Sequence, residues 1–302
     1  EIYTLSLHDA LPIFDSYTYL SGSNTTIHTL AIDEIENFAS ASAIKKNIKI
    51  IDCVSDSKIF QLQQVAATGA IYGDIVIENC KSYSVLIQTY YDATASFYIT
   101  ADTVLLKNNI AGGSSTTDPL VLLRQLICNN VVIDNLSILT SFVQLKVKGN
   151  IQIINCPINY RIMIAGSEIT YLKCVNCVFS SSQSDGFITS RWSTAATFDA
   201  IYIENCITRS GNQILRDVDA DNIYVNGLVG DGVQVKLLLC DDIAYDTNIY
   251  VDGLVMPVKN PDWNYFIERI AGKAVIRGMS AGINTASIAG GVTRDITTIP
   301  TT

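Results

Sequence analysis

Three tyrosines recur in one local setting: Tyr202 in IYIEN, Tyr224 in IYVNG and Tyr250 in IYVDG. Two residues after each ring comes a polar group, in turn Glu204, Asn226 and Asp252. In an extended chain, residues two apart face the same side, so each segment would present a ring and a carboxylate or amide together. Rings offer flat apolar area at little entropic cost, and carboxylates and amides hold hydroxyls; the combination suits a sugar chain. A pair of carboxyl groups is also all that glycoside hydrolysis requires. If the three segments stack as neighbouring strands ~4.8 Å apart, Glu204 and Asp252 stand roughly 9.6 Å from one another. That is about the upper limit of the roughly 6.5–9.5 Å of an inverting pair. Glu204 and Asp252 are therefore the candidate catalytic residues. Tyr202, Tyr224, Tyr250 and Asn226 are candidate carbohydrate contacts. A Tyr ladder that merely stabilises a sheet, or a subunit contact, is the plainer reading of the same residues. In that case a binding site is to be sought in the loops around Asp185, Arg191 and Trp192.

The elements that would position these side chains are visible as a repeat. The phrase is apolar–x–apolar–x–Asn (or Gly, Asp)–Cys (or Leu), and it ends at Cys53, Cys80, Asn109, Leu136, Cys156, Cys177, Cys206, Leu228, Leu254 and Met279. The steps between these ends run from 20 to 29 residues. A fixed phrase at a variable period of this size marks a solenoid, each repeat a coil stacked on its neighbours. Within IVIENC and IYIENC the apolar places alternate, which is the period of a strand with one face inward, and Ile and Val dominate those places. The fifth place holds Asp52, Asn79, Asn108, Asn135, Asn155, Asn176 and Asn205, then Gly227, Gly253 and Gly278. Asn and Gly tolerate left-handed backbone angles, so the column predicts a sharp corner in every coil. Stacked Asn side chains can bond to one another along it. A second apolar stretch precedes each phrase, as in LVLLRQL at 120–126 and VQVKLLL at 233–239, so each coil has at least two strands. A leucine-rich repeat has an overlapping period, but its Asn follows the preceding apolar residue by three places, not two.

Of the eight cysteines, Cys53, Cys80, Cys156, Cys177 and Cys206 fall in the sixth place. That is one column through a stack rather than a disulfide framework scattered over loops, and a free thiol packs as a small buried hydrophobe. The net charge of −9 and pI near 4.7 exclude a nucleic-acid partner and an anionic membrane surface. No stretch reaches the roughly 18 apolar residues of a membrane span. Of two histidines, His28 alone lies outside the first residues of the chain, so a Ser–His–Asp or Cys–His nucleophile and a His-based metal site are not expected. Cys174 and Cys177 form a CxxC without a second pair at zinc spacing. RDVDAD at 216–221 sets Asp217, Asp219 and Asp221 beside Arg216, either an acidic cluster for a cation or a polar turn before a strand.

The phrase and its ragged period resemble the pectin-lyase-like superfamily of right-handed parallel β-helices, which includes pectate lyases, polygalacturonases and bacteriophage tailspikes. The resemblance covers residues 48–279. It implies an all-β fold, a single-stranded right-handed parallel β-helix (solenoid) of about ten coils. It also implies a polysaccharide partner, recognised and in some members degraded, with calcium as a cofactor if the chain is a lyase. The Asp-Asp at 241–242 and SDG at 184–186 match fragments of the polygalacturonase pattern, but its Gly-His-Gly and Arg-Ile-Lys are missing, so that activity does not carry over. A tailspike or tail-fibre segment on the virion tail, or an extracellular protein, with a possible homotrimer, is the nearest match. Residues 1–14 resemble a translated sequencing adapter on a metagenomic fragment, 15–47 read as an N-terminal cap, and 280–302 as a truncated tail. Ile32, Ile35 and Phe38 give the cap a short helical rhythm.

Overall fold

A computed structural model describes residues 18–19, 24–28, 31–32, 35–39, 46–55, 59–64, 72–89, 99–112, 121–138, 143–159, 161–164, 169–180, 186–190, 196–239, 246–255, 266–267, 272–277 and 294–297. Among these residues every regular element is a strand. The pairings are parallel, and the fold is a parallel β-solenoid consistent with a right-handed β-helix. The chain divides into two compact units, Glu1–Asn150 and Ile151–Thr302.

In the first unit, Asn24–His28, Lys46–Ile51, Tyr72–Glu78, Ile99–Lys107 and the end of Val121–Asp134 form one ladder. Its register aligns Ile50, Ile77, Leu106 and Ile133, all buried. Alternation thus does what the phrase requires: first and third places point inward, second and fourth outward. A second ladder joins Ile35–Ala39, Phe60–Gln64, Ile87–Thr89 and the start of Val121–Asp134. A third, of two-residue strands, runs from Ala31–Ile32 through Val54–Ser55, Lys81–Ser82 and Ile110–Ala111 to Ser137–Ile138. Each coil therefore has three strands; the shortest follows the corner directly, where two residues are too few to show a period in sequence. The helical rhythm expected over residues 32–47 is overturned. Ile35–Ala39 is a strand paired with Phe60–Gln64, because an open ladder edge is satisfied by another extended segment's backbone.

The corner between the long and short strands is the fifth column. Asp52, Asn79, Asn108 and Asn135 have φ of 51 to 56°, as do Asn155, Asn176 and Asn205 in the second unit, and Gly227 and Gly253 continue at 70 and 69°. Asn79, Asn108 and Asn135 each donate an amide hydrogen to the side chain one coil before, at 3.1, 3.2 and 3.0 Å. In the sixth column Cys53, Cys80, Cys156, Cys177 and Cys206 are buried thiols outside any disulfide. Where Asn109 takes that place it is buried too. Its amide donates to the Ile77 carbonyl and its oxygen accepts from the Cys80 N–H, both at 2.8 Å, so the polar group is satisfied. Burial pushes the Cys128 thiol up to about 11. Cys174 and Cys206 are raised above the ordinary thiol range by hydrogen bonding to Cys177 and then by burial.

In the second unit the long ladder steps through Ile169–Val175, Thr197–Glu204, Asp219–Gly230, Asn248–Val255, Ala274–Arg277 and Arg294–Thr297. This ladder makes about six turns within the second unit, whereas the count of ten phrases spans both units. The inward column Ile201, Ile223, Ile249 and Ala274 is buried, and so is Ile203, Val225, Val251 and Ile276.

Candidate functional site

The outward places of this second ladder form one face. Because its strands pair without a register shift, Tyr202 lies opposite Tyr224 and Tyr224 opposite Tyr250. Both pairs of rings have centroids 5.2 Å apart and planes inclined by 13°, a continuous three-ring stack. Tyr224 and Tyr250 are 38 % and 37 % exposed, so ring surface faces solvent. The stack is bounded at both ends. Tyr171 meets Tyr202 edge-on at 6.3 Å and 81°, its hydroxyl accepting from Gln152 Nε2 at 3.1 Å. Beyond Tyr250 the register brings Val275.

The parallel column two residues on carries Glu204, Asn226, Asp252 and Arg277. Lys173, at the second place of the preceding coil, donates its ammonium to Glu204 at 2.9 Å. Both members are about a third exposed, so this is a half-solvated pair whose main effect is to fix the carboxylate's position. The rings, this column and Lys273 line a groove of about 480 Å³. One column of its lining is aromatic and the next is polar. Glu204 and Asp252 are two strands apart in the register, which spaces their backbones by roughly 9.6 Å. A carboxylate already engaged by an ammonium is an acceptor, so Glu204 acting as a proton donor would first have to leave Lys173.

Other sequence candidates behave differently. Arg191 and Trp192 lie outside the described residues, as do Asp185 and the Asp-Asp at 241–242. The 216–221 segment is a turn entering a strand. Asp217 has φ 51°, its N–H donates to the Leu239 carbonyl at 2.9 Å, and its own carbonyl accepts from the Ser190 hydroxyl. Arg216 stands 3.8 Å from the Asp217 carboxylate, and burial followed by the charge of Asp221 raises the Asp219 carboxyl. Among the described residues no group of three or more His, Cys, Asp or Glu is arranged to hold a metal ion. Cys174 and Cys177 are both buried in the core.

Sequence reasoning missed Lys173, Lys273 and Arg277. Two of the three were available in the repeat itself. LKCVNC places Lys173 in the tyrosine column and AVIRGM places Arg277 in the acid column, so reading those columns through every phrase would have found them. No family model matches the chain, and no curated protein or solved structure matches it significantly.

Proposed function

We propose that this chain is a tailspike- or tail-fibre-like segment, a right-handed β-helix of the pectin-lyase-like type, that recognises a surface polysaccharide. The observation that carries the reading is the exposed stack of Tyr202, Tyr224 and Tyr250 beside Glu204, Asn226 and Asp252 in one groove. A parallel β-solenoid fits a protein that binds or acts on polysaccharide. Its rungs step by ~4.8 Å, roughly one sugar residue, so a glycan can lie along the stack with one ring beneath each unit. Stacking on aromatic faces supplies contact area, and the polar column supplies hydroxyl partners. Buried free thiols agree with assembly inside a reducing cytoplasm before release. A place on the virion tail or outside the cell, and a homotrimer, belong to the same reading.

The alternative is a polysaccharide lyase or glycoside hydrolase acting on uronate-containing glycans, with Glu204 and Asp252 as its carboxyl groups and calcium added in the lyase case. Their backbone spacing lies at about the upper limit of an inverting pair, and the Lys173–Glu204 ion pair counts against Glu204 as the acid of that pair. A third possibility is a non-catalytic structural or adhesin module in which the ring stack only stiffens the sheet. Incubating the protein with a panel of bacterial surface and plant polysaccharides separates these. Binding without new reducing ends or unsaturated uronates supports recognition; product that disappears in Asp252→Asn supports catalysis. Failure of every polysaccharide to bind would sink both.

A further inference from the structure

We infer that the rung beyond Tyr250 is an anion subsite, so that the glycan over the tyrosines carries an acidic substituent at that end. The inference rests on the glycan-binding reading of the groove and narrows its ligand to an acidic sugar chain. Val275 takes the place of a fourth ring, opposite Tyr250, and Arg277 lies opposite Asp252. Lys273, two residues before Val275, donates its backbone N–H to the side chain of Asn248 at 3.3 Å. Lys273, Val275 and Arg277 are alternate residues of one extended segment, so they face the same side, and all three line the groove. The ring stripe therefore ends on a small aliphatic floor flanked by two cations.

Several other cations on the outward faces are engaged by carboxylates. Lys107 is paired with Glu78 at 3.3 Å, Lys173 with Glu204 at 2.9 Å and Arg209 with Asp231 at 3.1 Å. Among the described residues neither Lys273 nor Arg277 forms an ion pair, although both are exposed and Asp252 is the register neighbour of Arg277. Lys273 and Arg277 thus place two positive charges at one end of the aromatic stripe, in a chain of net charge −9. A guanidinium offers a planar fork to a carboxylate, sulfate or phosphate oxygen pair, and a lysine adds a point charge on a flexible stem. Asp252, the register neighbour of Arg277, bounds the subsite on one side, so an anion is favoured between Lys273 and Arg277. The sugars over the tyrosines themselves need carry no charge.

The test compares the parent, Lys273→Gln/Arg277→Gln and Tyr202→Ala/Tyr224→Ala/Tyr250→Ala on immobilised probes. These are oligogalacturonate and hyaluronate hexasaccharide with their carboxyl-reduced forms, and chondroitin sulfate oligosaccharide with its desulfated form. The parent should prefer an acidic probe over its neutralised form by about tenfold at low salt, with the preference shrinking as salt screens the charges. The double variant should lose that preference, and the triple variant should weaken on both forms. Whether the carboxyl or the sulfate series shows the preference identifies the anion. A double variant that keeps the acidic preference, or a parent that shows none, overturns the inference and leaves the glycan reading standing. A triple variant that binds like the parent, with the double variant impaired, keeps the anion subsite and overturns the aromatic platform. No binding of any probe by the parent overturns both. Thermal melts of the two variants that overlay the parent's exclude misfolding as the cause.

Discussion

The same outward columns exist in both compact units, and they are filled in different ways. In the first unit the second places are Lys49, Val76, Leu105 and Val132, and the fourth places are Ile51, Glu78, Lys107 and Asp134. That face is largely aliphatic, and Lys107 and Glu78 neutralise one another. In the second unit the corresponding places hold Lys173, Tyr202, Tyr224, Tyr250 and Val275, then Val175, Glu204, Asn226, Asp252 and Arg277. That face is aromatic, and among the described residues Arg277 on it has no ion-pair partner. The inward columns, by contrast, are interchangeable: Ile50, Ile77 and Leu106 in one, Ile201, Ile223 and Ile249 in the other, all fully buried. The fold therefore leaves its outward columns free. Selection of residues there, not a change of scaffold, separates a face that only closes the coil from one that can meet a ligand.

If the inward columns are equivalent, they should fail equally. Ile77→Ala and Ile203→Ala each remove a fully buried side chain and should each cost about 2–5 kcal/mol in urea denaturation. A large cost in one unit and almost none in the other would break the equivalence. The thiols come next. Cys128 is held protonated by burial up to about 11, so its contribution to stability is complete below the unfolded thiol pKa of about 8.5 and is lost as pH rises towards 11. Each step of one in pH across that window removes about 1.4 kcal/mol at most, and the total loss is roughly 3 kcal/mol. Cys128→Ala should therefore flatten the pH profile of the urea midpoint over that range. A profile unchanged by that substitution would contradict the assignment.

Smaller effects should sort the corner from the face. Asn108→Ala puts an ordinary side chain at φ 54° and removes two ladder bonds, for about 1–2 kcal/mol; Asn108→Gly should recover the conformational part. Equal losses for the two variants would show that the hydrogen bonds, not the backbone angle, are what the column supplies. Smallest is the face itself. Tyr224→Ala should cost about 0.5–1.5 kcal/mol through its two ring contacts, and Leu105→Ala in the other unit a similar amount. Only the tyrosine variant should change ligand binding.

Much of the fold was legible in the sequence because the phrase encodes its own geometry. Alternation in IVIENC and IYIENC gave the inward faces, and the Asn and Gly of the fifth place gave the left-handed corner. The third strand was not legible, since Lys81–Ser82 or Ile207–Thr208 is too short to carry a period. The first residues misled for a related reason. Ile32, Ile35 and Phe38 fit a helix spacing, but strand pairing with the next coil decides the backbone, and no local pattern reports a partner 25 residues away. At the site, the three-ring alignment followed from the phrase register. The Lys173–Glu204 pair depended on the coil before, and the place of Lys273 and Arg277 at the end of the ring column depended on the register of the coil after.

On the proposed reading, the aligned rings of Tyr202, Tyr224 and Tyr250 are a glycan-contact surface. Saturation-transfer NMR with a bound oligosaccharide tests it directly, by irradiating the tyrosine ring protons of the parent and of the Tyr202→Ala/Tyr224→Ala/Tyr250→Ala variant. Strong transfer to successive sugar residues is expected in the parent and its loss in the variant, with the two proteins melting within a few degrees of one another. Undiminished transfer in the variant would contradict it.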